Sequence, residues 1–212
     1  IMKILFDYQI FHNQEYGGPS KYYYNLAREI ITNKDDLRVC APIHINKYLN
    51  KLPKSNVYGI NTYNRLLSYL PSRIRSKFNE LLIHKVNKFA SKKYIKEFEP
   101  DIVHNTYYEN CEKTKIPTVL TVYDLIHEKY YELYGKKKDY RPKQEAIKNA
   151  DQIICISQNT MRDLNKYYDV QKKKIKVIYL ASDIIDQEKL FSAGNVETKF
   201  NNFFLFVGKR SG

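Results

Sequence analysis

Short apolar runs of strand length recur along the chain and alternate with stretches whose apolar residues return at helical spacing. The runs are Lys3–Tyr8, Leu37–Ala41, Asn56–Ile60, Ile102–His104, Thr118–Val122, Gln152–Ile156, Ile175–Ile178 and Phe203–Val207. Strands this short and this continuously apolar are buried on both faces, as in a parallel sheet covered by helices. Their alternation with helices predicts an α/β protein with a Rossmann-like, doubly wound, mainly parallel sheet.

The helical stretches carry start and stop signals. The first strand is followed by the loop Tyr16-Gly17-Gly18-Pro19-Ser20 and then by a helix over Lys21–Ile30. Pro19 suits a first helical turn. Ser157 can cap a helix through Met161, Leu164 and Tyr168, because its hydroxyl accepts from an orphan backbone N–H. Pro142 opens a further helix toward Ala150. A helix N-terminus presents unpaired N–H groups and a partial positive charge, and glycines let an anion approach that backbone. Gly17 and Gly18 are therefore candidates for contact with a phosphate, although the same pair also fits a plain strand-to-helix connection.

The segment Tyr63–Glu99 has two aspects. Leu66, Leu70, Ile74, Phe78, Leu81, Val86 and Phe89 recur at helical spacing, interleaved with lysines and arginines, and Pro71 divides the segment. One reading is a helix packed on the sheet with a solvated basic face. The other is a basic amphipathic surface that rests on anionic lipid head groups.

Composition narrows the classes. The 212 residues carry a formal net charge of +13, with 43% hydrophobic residues, 20 tyrosines and no tryptophan. The charge points to an anionic partner, such as a membrane surface or a phosphorylated small molecule. The tyrosines are scattered, and no nucleic-acid-binding module is present, so nucleic acid is not expected as a partner. No run approaches the ~20 apolar residues of a membrane span. Cys40, Cys111 and Cys155 are far apart, with no CxxC, so neither a zinc site nor a redox pair is indicated. With no signal-peptide pattern at the start, the expected location is cytoplasmic, peripheral on the inner membrane face if the 63–99 surface binds lipid.

Several segments, taken in order, resemble the N-terminal domain of glycosyltransferase family 4. They are Gly17-Gly18 before the first helix, Pro100-Asp101-Ile102-Val103-His104, the strand Pro117–Val122 with Tyr123-Asp124 after it, Ala150–Thr160, Lys174–Tyr179 and Phe204–Arg210. The resemblance implies the N-terminal half of a GT-B fold over residues 1–202. Residues 203–212 would be the first strand of a nucleotide-sugar-binding second domain that continues beyond Gly212. It implies a retaining glycosyltransferase that moves a sugar, such as a hexose, from a nucleotide diphosphate donor to a glycan or lipid-linked acceptor. Polysaccharide, lipopolysaccharide or glycolipid assembly is the natural setting. A fragment without the second domain is expected to be inactive alone.

The same resemblance implies site roles. Gly17 and Gly18 would lie against the donor's phosphate or sugar, and Lys209 and Arg210 would offer charge to the departing diphosphate. No Asp-x-Asp pair in a metal-holding context occurs, which agrees with a metal-independent transfer, and no cofactor is expected beyond the nucleotide-sugar substrate. Asp124 is the candidate catalytic residue; its plain alternative is a strand-end aspartate that caps a turn. Many family members have His where this chain has Tyr123, and His127 does not replace it by alignment. Acceptor-side candidates are Tyr123, His104, Asn105, Tyr107, His127 and Ser157. Other readings are a non-catalytic membrane- or acceptor-binding module and another Rossmann-type nucleotide-binding enzyme; a nicotinamide enzyme would show GxGxxG directly after its first strand.

Overall fold

The computed structural model describes residues 1–61, 78–109, 114–135, 139–171 and 174–181. Residues 63–77 with Pro71, Cys111, the lysines at 136–138, 172 and 173, and the run 203–212 with Lys209 and Arg210 lie outside the described residues. Ile1–Leu180 forms one compact unit.

The strands are β1 (Lys3–Phe6), β2 (Asp36–His44), β3 (Val57–Asn61), β4 (Ile102–Asn105), β5 (Thr118–Val122), β6 (Gln152–Cys155) and β7 (Ile175–Val177). They form one sheet in the order β3-β2-β1-β4-β5-β6-β7, and every neighbouring pair is parallel. The helices are α1 (Gln9–Asn13), α2 (Gly18–Thr32), α3 (Phe78–Phe98), α4 (Ile126–Lys129), α5 (Arg141–Asn149) and α6 (Gln158–Tyr167). The fold is the Rossmann-like α/β fold that the pattern predicts. Strand order reverses between β1 and β4, and ligands of such sheets bind at the carboxyl ends of the strands beside that reversal.

Two local departures shape that edge. The first strand stops at Phe6 rather than Tyr8 because the Asp7 carboxylate accepts the Gln9 N–H at 3.4 Å, an Asx turn that leads into the short helix α1. The second is an earlier start for α2. Gly17 and Gly18 belong to the helix entry itself: the Lys21 N–H reaches the Gly17 carbonyl at 2.9 Å, and Pro19 sits in the first turn. The capping expected for Ser157 is present, with its Oγ accepting the Thr160 N–H at 3.0 Å, and α5 opens at Arg141-Pro142.

Register fixes the two faces of the sheet. Leu5, Val103 and Thr118 are pairing partners, so with Leu120 and Val122 they share one face. There α3 packs Tyr94, Ile95 and Phe98 against Leu5, Cys40 and Val103. Farther along, Ala146, Ile147 and Leu164 of α5 and α6 pack against Leu120, Val122 and Ile153. On the opposite face Phe6, Leu37 and Val39 meet Tyr23 and Ala27 of α2. Tyr23 and Phe6 are fully buried, and each side chain so buried contributes roughly 1.5–3 kcal/mol.

Candidate functional site

Three chain segments meet at the carboxyl edge. The first is the exit of β1. Asp7 is buried there, and its carboxylate accepts the Thr106 backbone N–H at 2.9 Å, the Thr106 hydroxyl and the Gln9 side-chain amide. Thr106 Oγ1 also accepts the Ile10 N–H at 3.1 Å. These bonds tie the exits of β1 and β4 together at the strand-order reversal. Burial pushes the Asp7 carboxyl up to about 6, against the opposing pull of the Thr106 and Gln9 hydrogen bonds. Asp7 was not among the residues singled out from the sequence. The available signal was a charged residue closing the first apolar strand.

The second segment is the entry to α2. A β-carbon on Gly17 would lie 2.2 Å from Oε1 of Gln14, whose carboxamide oxygen accepts the Ser20 N–H at 3.3 Å. That oxygen takes one of the orphan donors at the positive end of the helix. Asn46, fully buried, holds the Gln14 carbonyl at 2.7 Å and so fixes the loop from the β2 side. Around Gly18 the position of a β-carbon is open, with no atom within 4 Å. The chain thus presents bare backbone at Gly18, toward solvent.

The third segment is the exit of β5, and each of its peptide groups is gripped. The Tyr123 N–H donates to the Tyr108 hydroxyl at 3.3 Å, and the Tyr123 carbonyl accepts from Thr160 Oγ1 at 3.2 Å. The Asp124 carbonyl accepts from Lys143 Nζ at 2.9 Å. Asp124 Oδ1 accepts the Ile126 N–H at 3.2 Å, an Asx turn that leads into α4, and the aspartate remains exposed. Lys143 is held in turn by Glu128 at 2.8 Å, and the Tyr168 hydroxyl donates to the same Glu128 oxygen at 2.7 Å. Burial alone would raise the Glu128 carboxyl, but the bonds from Lys143 and Tyr168 prevail and lower it.

Aromatic contacts bring the second and third segments together. Tyr22, one turn into α2 from Gly18, meets the Tyr123 ring edge-on at 6.1 Å. The Tyr123 hydroxyl is buried near that of Tyr23, without a hydrogen bond of normal geometry, and burial raises it. Tyr107 is half-buried against Tyr108 at 4.7 Å; burial first, then the charges of Glu109 and Asp124, raise its hydroxyl. Tyr107 therefore lies within the field of the Asp124 carboxylate.

The remaining candidates occupy different depths. His104 is in the core, its Nε2 2.9 Å from Thr121 Oγ1 and its ring edge-on to Phe6 and Tyr23; burial pushes its imidazole down to about 3, so it is neutral. Asn105 is buried, and its carbonyl accepts the Tyr23 hydroxyl at 3.2 Å. His127 is half-buried on α4, with its carbonyl taking the Tyr140 hydroxyl at 3.0 Å. The Ser157 hydroxyl is engaged with Thr160 inside its own helix. Helices α2 and α6 both start at this edge, so two positive helix ends face the same rim. Backbone donors, an open glycine, a carboxylate at Asp7 and another at Asp124 suit a ligand that combines phosphate and hydroxyl groups.

No match was found among curated proteins. The description Glycosyltransferase Family 4 matches residues 16–184, well over half of the chain, from the entry of α2 through β7. The chain belongs to glycosyltransferase family 4.

Proposed function

We propose that this chain is the acceptor-side half of a retaining, metal-independent glycosyltransferase that takes a sugar from a nucleotide diphosphate donor and places it on a glycan or lipid-linked acceptor. The observation that carries the reading is the Tyr22–Tyr123 ring contact, which joins the helix that Gly18 opens to the strand exit that Asp124 follows, beside the β1–β4 reversal, in a family 4 chain. In this reading the α2 entry meets the negative charge that develops on the leaving diphosphate. Asp124 faces the transferred sugar or the acceptor hydroxyl, with its backbone fixed by Lys143. Tyr107 offers an amphipathic ring to a sugar face.

Helix α3 supports a membrane-borne acceptor. Leu82, Val86 and Phe89 are exposed on it, Phe89 by 75%, among Lys85, Lys92, Lys93 and Lys96. Apolar side chains ringed by lysines fit an anionic bilayer surface. No described helix is long and apolar enough to cross a membrane. We place the protein in the cytoplasm, peripheral on the inner membrane face, in glycan or glycolipid assembly.

The test is a transfer assay in which the protein, extended by its second domain, meets a panel of nucleotide diphosphate sugars and a lipid extract. The expected result is a new glycolipid or glycan whose anomeric configuration matches the donor. An inverted product overturns retention, and no transfer from any donor overturns the reading.

A further inference from the structure

Behind the Asp124 turn, side chains from three helical segments converge on one ammonium group. Lys143 comes from the first turn of α5, Glu128 from α4, and Tyr168 directly follows α6. Lys143 Nζ donates to the Asp124 carbonyl at 2.9 Å and lies 2.8 Å from Glu128 Oε1, which also takes the Tyr168 hydroxyl at 2.7 Å. The same ammonium stands 4.9 Å from the centroid of the Tyr108 ring, and the Tyr108 hydroxyl accepts the Tyr123 N–H. One assembly thus grips both ends of the Tyr123-Asp124 dipeptide.

We propose that Lys143, held by Glu128 and Tyr168, is the positioning residue for the Asp124 carboxylate. The inference rests on the glycosyltransferase reading, in which Asp124 faces the transferred sugar or the acceptor hydroxyl. Lys143 is not itself a ligand-binding group. Its side chain is only 12% exposed, and a carbonyl, a carboxylate and an aromatic face already surround its ammonium. It acts on Asp124 instead. Asp124 is exposed, and the turn to Ile126 orients its carboxylate. A carbonyl fixed on the same residue holds that turn in place.

Energetics point the same way. The Glu128 side chain is only 8% exposed, and its Oε2 is buried with no hydrogen-bond partner among the described residues. Desolvation of a buried ion pair offsets most of its attraction, and an unmatched oxygen adds to the cost. Such a pair contributes little to stability that apolar side chains would not. What it supplies is a single backbone conformation at the exit of β5, where the order of elements brings α4, α5 and α6 together.

The test uses the paired variant Lys143→Met/Glu128→Gln, because Lys143→Met alone leaves a buried carboxylate unpaired. Gln keeps an acceptor for the Tyr168 hydroxyl. In this chain, hydrogen exchange of the Ile126 amide should quicken at least threefold, while exchange of the Leu120 amide within β5 stays the same. In the proposed two-domain enzyme, kcat should fall at least tenfold with KM for donor and acceptor nearly unchanged, since a displacement of about 1 Å at a reacting group costs on the order of a hundredfold. Combined with Asp124→Asn, the pair should lower kcat little further, because both changes act through one carboxylate. Lys148→Met, exposed in the last turn of the same helix, should alter neither exchange nor kcat. Tyr168→Phe deletes a single hydroxyl and serves if the pair fails to fold, with the same signature at about threefold in kcat. An unchanged Ile126 exchange rate, an unchanged kcat, or losses that multiply in the combined variant overturns the positioning role. If the wild type transfers from no donor, the enzyme reading falls, and Ile126 exchange still decides whether Lys143 holds the Asp124 turn.

Discussion

Thr106 donates its backbone N–H to the Asp7 carboxylate at 2.9 Å, joining the ends of two adjacent strands across 99 residues of sequence. This contact closes the sheet's edge where strand order reverses. It also places a buried carboxyl group at the carboxyl edge of the sheet.

Asp7 gives the protein a specific pH signature. Its folded-state value of about 6 lies above the ~3.9 of an unfolded aspartate. Between those values the folded protein binds more protons than the unfolded chain, so this group's stabilising contribution is full below about pH 4 and is lost as pH rises through 6. The difference in unfolding free energy between the wild type and Asp7→Asn should fall by about 2 kcal/mol from pH 4 to pH 7. Chemical denaturation at several pH values measures it; parallel curves would show that Asp7 ionises as freely as in the unfolded chain.

Gly18 separates stability from binding. A methyl group there meets open space, so Gly18→Ala should change stability by no more than about 0.5 kcal/mol, or raise it slightly by restricting the unfolded chain. It should weaken the binding of a nucleotide diphosphate sugar to the proposed two-domain enzyme, because the added carbon stands where an anion would approach the backbone. Thermal melting and equilibrium titration give the two numbers. Undiminished binding would show that no phosphate comes near Gly18.

The exposed stripe on α3 makes a membrane prediction. Phe89→Ser should reduce sedimentation with vesicles containing anionic lipid by several-fold at low salt, with little effect on stability because the side chain is 75% exposed. Neutral vesicles should bind weakly in either case, since the lysine attraction is absent. Equal binding of wild type and variant would place the membrane contact elsewhere or nowhere.

Strand positions were legible because their cause is local: Thr118–Val122 is continuously apolar and buried on both sides, and its observed bounds match those read from the sequence. The Ser157 cap and the Pro142 helix start were legible for the same reason, since capping acts within four residues. Helix α1 was missed because an Asx turn at Asp7 creates it, and that turn is stabilised by Thr106, remote in sequence. The roles of Gln14 and Asn46 were hidden likewise. Nothing in Gly17-Gly18 indicates that a glutamine three residues earlier fills the space beside the first glycine. His104 was legible as a strand-end residue; its neutrality depends on Phe6, Tyr23 and Thr121 closing around it from three other elements.

The most direct test of the account compares turnover of the proposed two-domain enzyme carrying Asp124→Asn with that of the wild type, each with the donor and acceptor that support transfer. Asn keeps a side-chain oxygen to accept the Ile126 N–H, so folding should be preserved while the negative charge at the rim is lost. The account predicts a fall in kcat of about a hundredfold or more with the melting temperature unchanged. Turnover within twofold of the wild type would contradict it, and would leave Asp124 with no role beyond the turn into α4.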